Sequence, residues 1–149
     1  MSNSSPRFLA DYSLPVFTVN KVNLTITLED TKSIVISELH LERKQTLVDN
    51  LVLNGEHVKL ISVIVNNVAL ARSEYELADT ILTIYSSALP KDEIFTLQIT
   101  TEINPDENTA LEGLFKSGDA FCTQCEAEGF RRISYYLDRP DVMAIFTTK

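Results

Sequence analysis

Val22-Asn23-Leu24-Thr25-Ile26-Thr27-Leu28 alternates apolar and polar residues at every step. In an extended chain successive side chains point to opposite faces, so this stretch reads as a β-strand with one face in a core. The reading extends outward in both directions. Ser33-Ile-Val-Ile-Ser-Glu-Leu-His-Leu41 is a second strand, with Ile34 and Ile36 on one parity and Leu39 and Leu41 on the other. That switch implies a bulge near Ser37-Glu38 or burial of both faces. Leu51-Val-Leu53 runs into Asn54-Gly55, a turn signal, and a strand follows over 58–65. Asn66-Asn67 supplies two residues that tolerate positive φ before Val68-Ala-Leu70 returns. Tyr75-Glu-Leu77, 80–85 and 94–103 complete the set, with Leu89-Pro90-Lys91-Asp92 turning between the last two. No long window repeats apolar residues at the spacing of a helix. Dense β-branched residues fit a pleated, half-buried surface. Seven or eight short strands with a turn signal about every ten residues predict an all-β fold, an antiparallel sandwich or curved sheet.

The composition agrees. The chain has 149 residues, 44% hydrophobic and 23% charged, enough for one domain with a core of its own and unlike a disordered or low-complexity chain. Lys and Arg number 13 against 21 Asp and Glu, a net charge of −8 that repels phosphate backbones and argues against nucleic acid as a partner. The longest nearly apolar stretch, Leu60-Ile-Ser-Val-Ile-Val65, is far short of the roughly 20 residues of a membrane helix. The first twenty residues hold no apolar segment resembling a secretory signal, and the two cysteines make no disulfide framework, so a cytoplasmic location is expected. Asn3-Ser-Ser-Pro6 reads as a mobile start.

Beyond Asn104 the texture changes. Asn104 to Asn108 reads as a loop, residues 111–129 mix small, polar and charged side chains and contain Gly113, Gly118 and Gly129, and a functional site is expected between Gly118 and Asp141, where Gly118 to Gly129 forms a further loop. Cys122-Thr-Gln-Cys125 has the spacing of a redox pair or of half a zinc site, but no βαβ pattern accompanies it. His40 and His57 lie in the strand-rich part, so two small semi-buried thiols are the preferred reading. H-E-x-x-H and G-x-S-x-G are absent; the histidines are expected on strand surfaces. Asp138-Arg139-Pro140-Asp141 is a helix start or a turn closed by a local ion pair, the turn being preferred. Gln124, Glu126 and Glu128 share one parity if their segment is extended. They then form either a solvated acidic loop or a site for an ammonium or guanidinium group.

The stretch Asn108-Thr-Ala-Leu-Glu-Gly-Leu-Phe-Lys-Ser-Gly-Asp-Ala-Phe-Cys-Thr-Gln-Cys-Glu-Ala-Glu-Gly-Phe-Arg131 resembles the bacterial aminopeptidase N family, zinc-dependent alanyl aminopeptidases of the gluzincin class. Tyr135-Tyr-Leu-Asp-Arg-Pro-Asp141 continues the likeness, and Leu51-Val-Leu-Asn-Gly-Glu-His-Val-Lys-Leu60 extends it toward the start. The resemblance implies that 1–149 is the β-rich N-terminal domain, built of saddle-like curved sheets and incomplete at its C-terminus. It also implies a thermolysin-like catalytic domain of the same chain that carries zinc and the catalytic glutamate on H-E-x-x-H, after a G-x-M-E-N motif. Neither motif occurs here, so no catalytic residue and no metal ligand is expected within these residues, and the fragment alone is expected to be inactive and zinc-free. One loop of the N-terminal domain carries a Gln-x-Glu motif in this family, here Gln124-Cys125-Glu126. By that likeness Glu126 anchors the substrate's α-amine, Gln124 contacts the first side chain, Cys125 has no chemical part and Glu128 is structural. The implied partners are the N-terminus of a peptide substrate, the catalytic domain and, through the exposed docking surface, a second copy; nucleic acid and membrane are not among them. The competing reading is a stand-alone β-sandwich that serves as an interaction module.

The physics of such an anchor is simple. An α-amine with a pKa of about 7.7–8.0 is largely protonated at neutral pH, and a peptide lacking it leaves a desolvated carboxylate unpaired. Breaking such a pair costs about 2–5 kcal/mol.

Overall fold

The computed structural model describes residues 8–45 and 49–149, and the expected mobile start at Asn3-Ser-Ser-Pro6 lies outside them. The described residues are all-β, with helical turns of three residues each as the remaining regular structure. In chain order the strands are β1 (Phe17–Thr27), β2 (Ser33–Arg43), β3 (Leu51–Asn54), β4 (Lys59–Val65), β5 (Val68–Ala69), β6 (Tyr75–Leu77), β7 (Ile81–Ile84), β8 (Ile94–Ile103), β9 (Gly113–Ser117), β10 (Ala120–Gln124) and β11 (Ile145–Thr148). They form a six-stranded sheet in the order β11-β1-β2-β8-β4-β5, a three-stranded sheet β3-β7-β6 and a hairpin β10-β9. Every pairing is antiparallel except β1 with β11.

The core follows from the alternation. Val19, Val22, Val35, Leu39, Leu41, Leu97 and Ile99 from the large sheet and Leu51, Leu53, Leu82 and Ile84 from the small one are fully buried in one cluster. Fully burying one such side chain contributes about 1.5–3 kcal/mol, so the sandwich is held chiefly by these two faces. Asn66 and Asn67, at φ 46° and 66°, make the tight β4–β5 turn that their identities predict.

Three expectations need correction. The bulge is not in β2, whose register is continuous against both neighbours; it lies in the partner strand β1, between Val19 and Lys21. The core face of β2 is Ser33, Val35, Ser37, Leu39 and Leu41, while Ile36 is 37% exposed on the other face. Two serines inside and two isoleucines outside made a straight strand look broken. Ser33 is satisfied by Glu29, donating its hydroxyl to the carbonyl at 2.6 Å and accepting the Glu29 N–H at 2.9 Å.

The chain does bend just after Asn54-Gly55, at 56–57, but not through a left-handed glycine. Positive φ falls on His57, at 54°, and Gly55 is buried because the Tyr135 ring leaves no room: a Cβ there would lie 2.3 Å from a ring carbon. His57 is accordingly an exposed turn residue rather than a strand residue, whereas His40 does sit on β2, 3.0 Å from Glu38. Finally, β10 occupies the start of the loop expected over Gly118 to Gly129, and β9 and β11 lie in stretches not read as strands from the sequence.

Candidate functional site

The hairpin β9–β10 presents the candidate loop. Gly118, at φ 61°, turns the chain between the strands with open space around it. Gly113 starts β9 at φ 72°, where a Cβ would come within 2.6 Å of the Arg132 Cβ. At the far end of β10 the chain leaves the sheet after Gln124 and turns through 125–129, closed by the Gly129 N–H donating to the Cys125 carbonyl at 3.0 Å. Gly129 is required by close approach: a Cβ would meet the Gln124 carbonyl at 2.6 Å and the Cys125 Cα at 2.9 Å.

This turn overturns the shared-parity argument for Gln124, Glu126 and Glu128. The segment is not extended beyond Gln124, and Glu128 sits at φ 67°. The three side chains part company. Gln124 donates its amide N–H back to the Glu126 carbonyl at 3.0 Å. Glu128 reaches Arg131 at 3.5 Å. Glu126 is exposed, and among the described residues no cation or side-chain donor engages its carboxylate. The peptide bond between Glu126 and Ala127 is cis.

Around the loop the charges are paired. Arg131, its side chain 15% exposed, donates through Nε to Asp138 Oδ2 at 2.9 Å and through Nη2 to the Asp138 carbonyl at 3.0 Å, while its backbone N–H reaches Asp138 Oδ2 at 3.1 Å. Arg132 pairs with Glu56 at 3.0 Å and Glu112 at 3.2 Å. This frame is fixed to the sandwich by the bridge between Asn54 and Tyr136 and by Thr101, whose buried hydroxyl donates to the Ile133 carbonyl at 3.1 Å. Glu56, Arg131 and Arg132 carried no signal in the sequence reading. A useful one was the adjacent arginine pair in an acidic chain, two residues after a glycine.

The remaining candidates resolve plainly. Asp138-Arg139-Pro140-Asp141 is a turn, not a helix start, with Arg139 donating to Asp141 at 2.8 and 2.6 Å. Cys122 is on β10 and Cys125 in the turn, both as free thiols. Cys122 is half-buried as expected but Cys125 is an exposed residue; partial desolvation of its thiol, reinforced by Asp138, still pushes its pKa up, the reverse of what a redox nucleophile needs. Burial also pushes the Tyr136 phenol to about 12, with Asp138 adding to it. Among the described residues no three of His, Cys, Asp and Glu gather as metal ligands, so these residues do not fit a zinc ion.

Chemically, the loop offers one exposed, uncompensated carboxylate beside a carboxamide, on a frame whose other acids are neutralised. That arrangement suits a single cationic group. Residues 14–149 match the family described as Peptidase M1 N-terminal domain. The chain is 46% identical over 143 residues to aminopeptidase N of Escherichia coli, spanning 96% of this chain and 16% of that protein. It is 41% identical over 141 residues to aminopeptidase N of Caulobacter vibrioides, spanning 95% and 16%. Among solved structures it is similar to aminopeptidase A of Legionella pneumophila in complex with aspartic acid, with a TM-score of 0.86, 31% identity and coverage of 95% of this chain and 17% of that one. An M1 zinc metallopeptidase from Deinococcus radiodurans shares the fold at a TM-score of 0.74 and 16% identity, over 91% of this chain and 32% of that one. The chain thus spans about 16% of the length of the curated relatives named here.

Proposed function

Since the chain belongs to the family of Peptidase M1 N-terminal domains, we propose that it works as the β-rich N-terminal domain of a zinc-dependent aminopeptidase that removes N-terminal amino acids from peptides. Its contribution is the loop after β10. Glu126 receives the protonated α-amine of the substrate, and Gln124 lines the pocket beside the first side chain. Zinc and the catalytic glutamate belong to a catalytic domain of the same polypeptide. The observation that carries this reading is the Glu126 carboxylate, exposed and without a cation partner among the described residues, while Glu56, Glu112, Glu128 and Asp138 around it are ion-paired.

The chemistry follows from the charge. Covered by a second domain, a lone carboxylate strengthens its hold on a cation as water leaves. It accepts an ammonium group and rejects an interior peptide, whose neutral amide would leave it buried and unpaired. The chain then enters the site only by its amino end. A cytoplasmic location, a part in peptide breakdown and self-association of the isolated domain through its docking surface belong to the same proposal. Gel filtration of the isolated domain over a range of concentrations tests the last; a strict monomer throughout removes it.

The function is tested with the full-length parent protein and an alanyl chromogenic substrate. The expected result is cleavage by the full-length enzyme and none by residues 1–149 alone. Glu126→Ala should lower kcat/KM by about 30-fold or more, the kinetic equivalent of 2 kcal/mol upward for an unmade charge pair. A near-normal kcat/KM removes Glu126 from the site, and a full-length protein that cleaves no N-terminal residue ends the reading.

A further inference from the structure

We propose that Glu128 is the positioning residue of the amine-anchoring loop, an inference that rests on the assignment of Glu126 given above. Glu128 adopts φ 67°, a left-handed conformation that glycine and asparagine adopt readily and a glutamate does not. A side chain held there against its backbone preference has a use that glycine would not serve. The structure shows that use: the Glu128 carboxylate lies 3.5 Å from Nη2 of Arg131.

Arg131 is itself multiply bonded. It is clamped on Asp138 through Nε, Nη2 and its own backbone N–H, and its carbonyl accepts the Glu56 N–H at 2.9 Å. The bonds from Gly129 to Cys125 and from Gln124 to Glu126 are internal to the turn and do not locate it against the rest of the fold. The end of the turn is tied to the frame by the Arg132 N–H donating to the Gly129 carbonyl at 3.1 Å, and the Glu128–Arg131 pair adds a side-chain tie from the turn itself. It sets where Glu126, two residues earlier, presents its carboxylate, and so how well the amine is placed in the ground state. Pairing with Arg131 also keeps Glu128 from acting as a second amine acceptor out of register.

The test uses the full-length enzyme and the variants Glu128→Gly and Glu128→Asn. Both suit a positive φ, so neither should lower Tm. Both should raise KM for an alanyl chromogenic substrate about five- to tenfold with kcat within about twofold, the split expected when ground-state placement of the amine is lost. By titration calorimetry both should weaken binding of L-alaninol, an amine without a scissile bond, by a similar factor. An unchanged KM and unchanged L-alaninol affinity overturn the proposal, as does a loss of activity that tracks a lowered Tm. Glu126→Ala, measured alongside, separates the two assignments. If it too leaves L-alaninol affinity intact, the assignment of Glu126 has failed. If it abolishes that affinity while the Glu128 variants retain it, the positioning role alone has failed.

Discussion

Between Phe17 and Ile103 the protein is held by apolar faces. The described stretch from Asn104 onward adds Leu114, Ile133, Tyr135, Tyr136 and Val142 to that core, and its loop is placed by charge pairs and by glycines in contact with neighbouring atoms. In the first region most fully buried side chains are Leu, Ile and Val, joined by Ser33, Ser37 and Thr101, and few of the hydrogen bonds beyond the ladders involve buried side chains. In the second, two arginines join four acids, and Gly113 and Gly129 have backbone or Cβ atoms where a methyl group would go. Apolar contacts are non-directional and tolerate substitution by volume. Ion pairs and close approaches fix positions instead, which suits a loop proposed to present one carboxylate.

The contrast is open to direct attack. Its largest consequence for stability lies in the sandwich: Leu39→Ala, at a fully buried position, should destabilise by about 2–5 kcal/mol, read by urea denaturation. A loss below 1 kcal/mol would mean that the core is not where the burial places it. Gly129→Ala comes next. Its methyl would press on the Gln124 carbonyl and the Cys125 Cα, so backbone must shift, costing about 1–3 kcal/mol. In the full-length enzyme the same change should lower kcat/KM by more than the stability loss accounts for. Equal effects on folding and catalysis would erase the distinction between the two regions. Thr101→Val keeps shape but leaves the Ile133 carbonyl without its buried donor, worth about 1–2 kcal/mol by denaturation, and probes the strut between the regions.

The smallest effect is acid sensitivity. The Arg139 guanidinium, with a hydrogen bond from Tyr12, holds the Asp141 carboxyl below its usual range. Its stabilisation is therefore present above the unfolded-state pKa and fades as pH falls through the lower folded one. Arg139→Gln should flatten that part of the stability–pH curve slightly, since the pair is largely solvent-exposed. A steeper curve in the variant would contradict the assignment.

The same division governs what the sequence disclosed. Strands β1, β7 and β8 were legible because their burial period matches their residue period, β4 as a short apolar run after a turn signal, and Asn66-Asn67 fixed a hairpin by identity alone. β2 misled because Ser33 and Ser37 face inward and Ile36 outward; cross-strand packing overrode the hydrophobic pattern. The hairpin β9–β10 was hidden by its small and polar residues, although Gly118 between Phe115 and Phe121 marked its turn. Gln124 and Glu126 came from resemblance to a motif, not from periodicity, and the parity argument that linked them to Glu128 was wrong because the backbone turns at 125–129. The role of Arg131 was illegible because its partners Glu56, Glu128 and Asp138 meet only after folding.

The proposed role of Glu126 is to read a positive charge, and its most direct test is a ratio. Titration calorimetry of the full-length enzyme with L-alaninol and with N-acetyl-L-alaninol measures discrimination between a charged amine and a neutral amide. The wild type should favour the amine by about 30-fold or more, and Glu126→Gln should reduce the preference to within a few-fold. A variant that still discriminates as strongly as the wild type would show that the amine is recognised elsewhere.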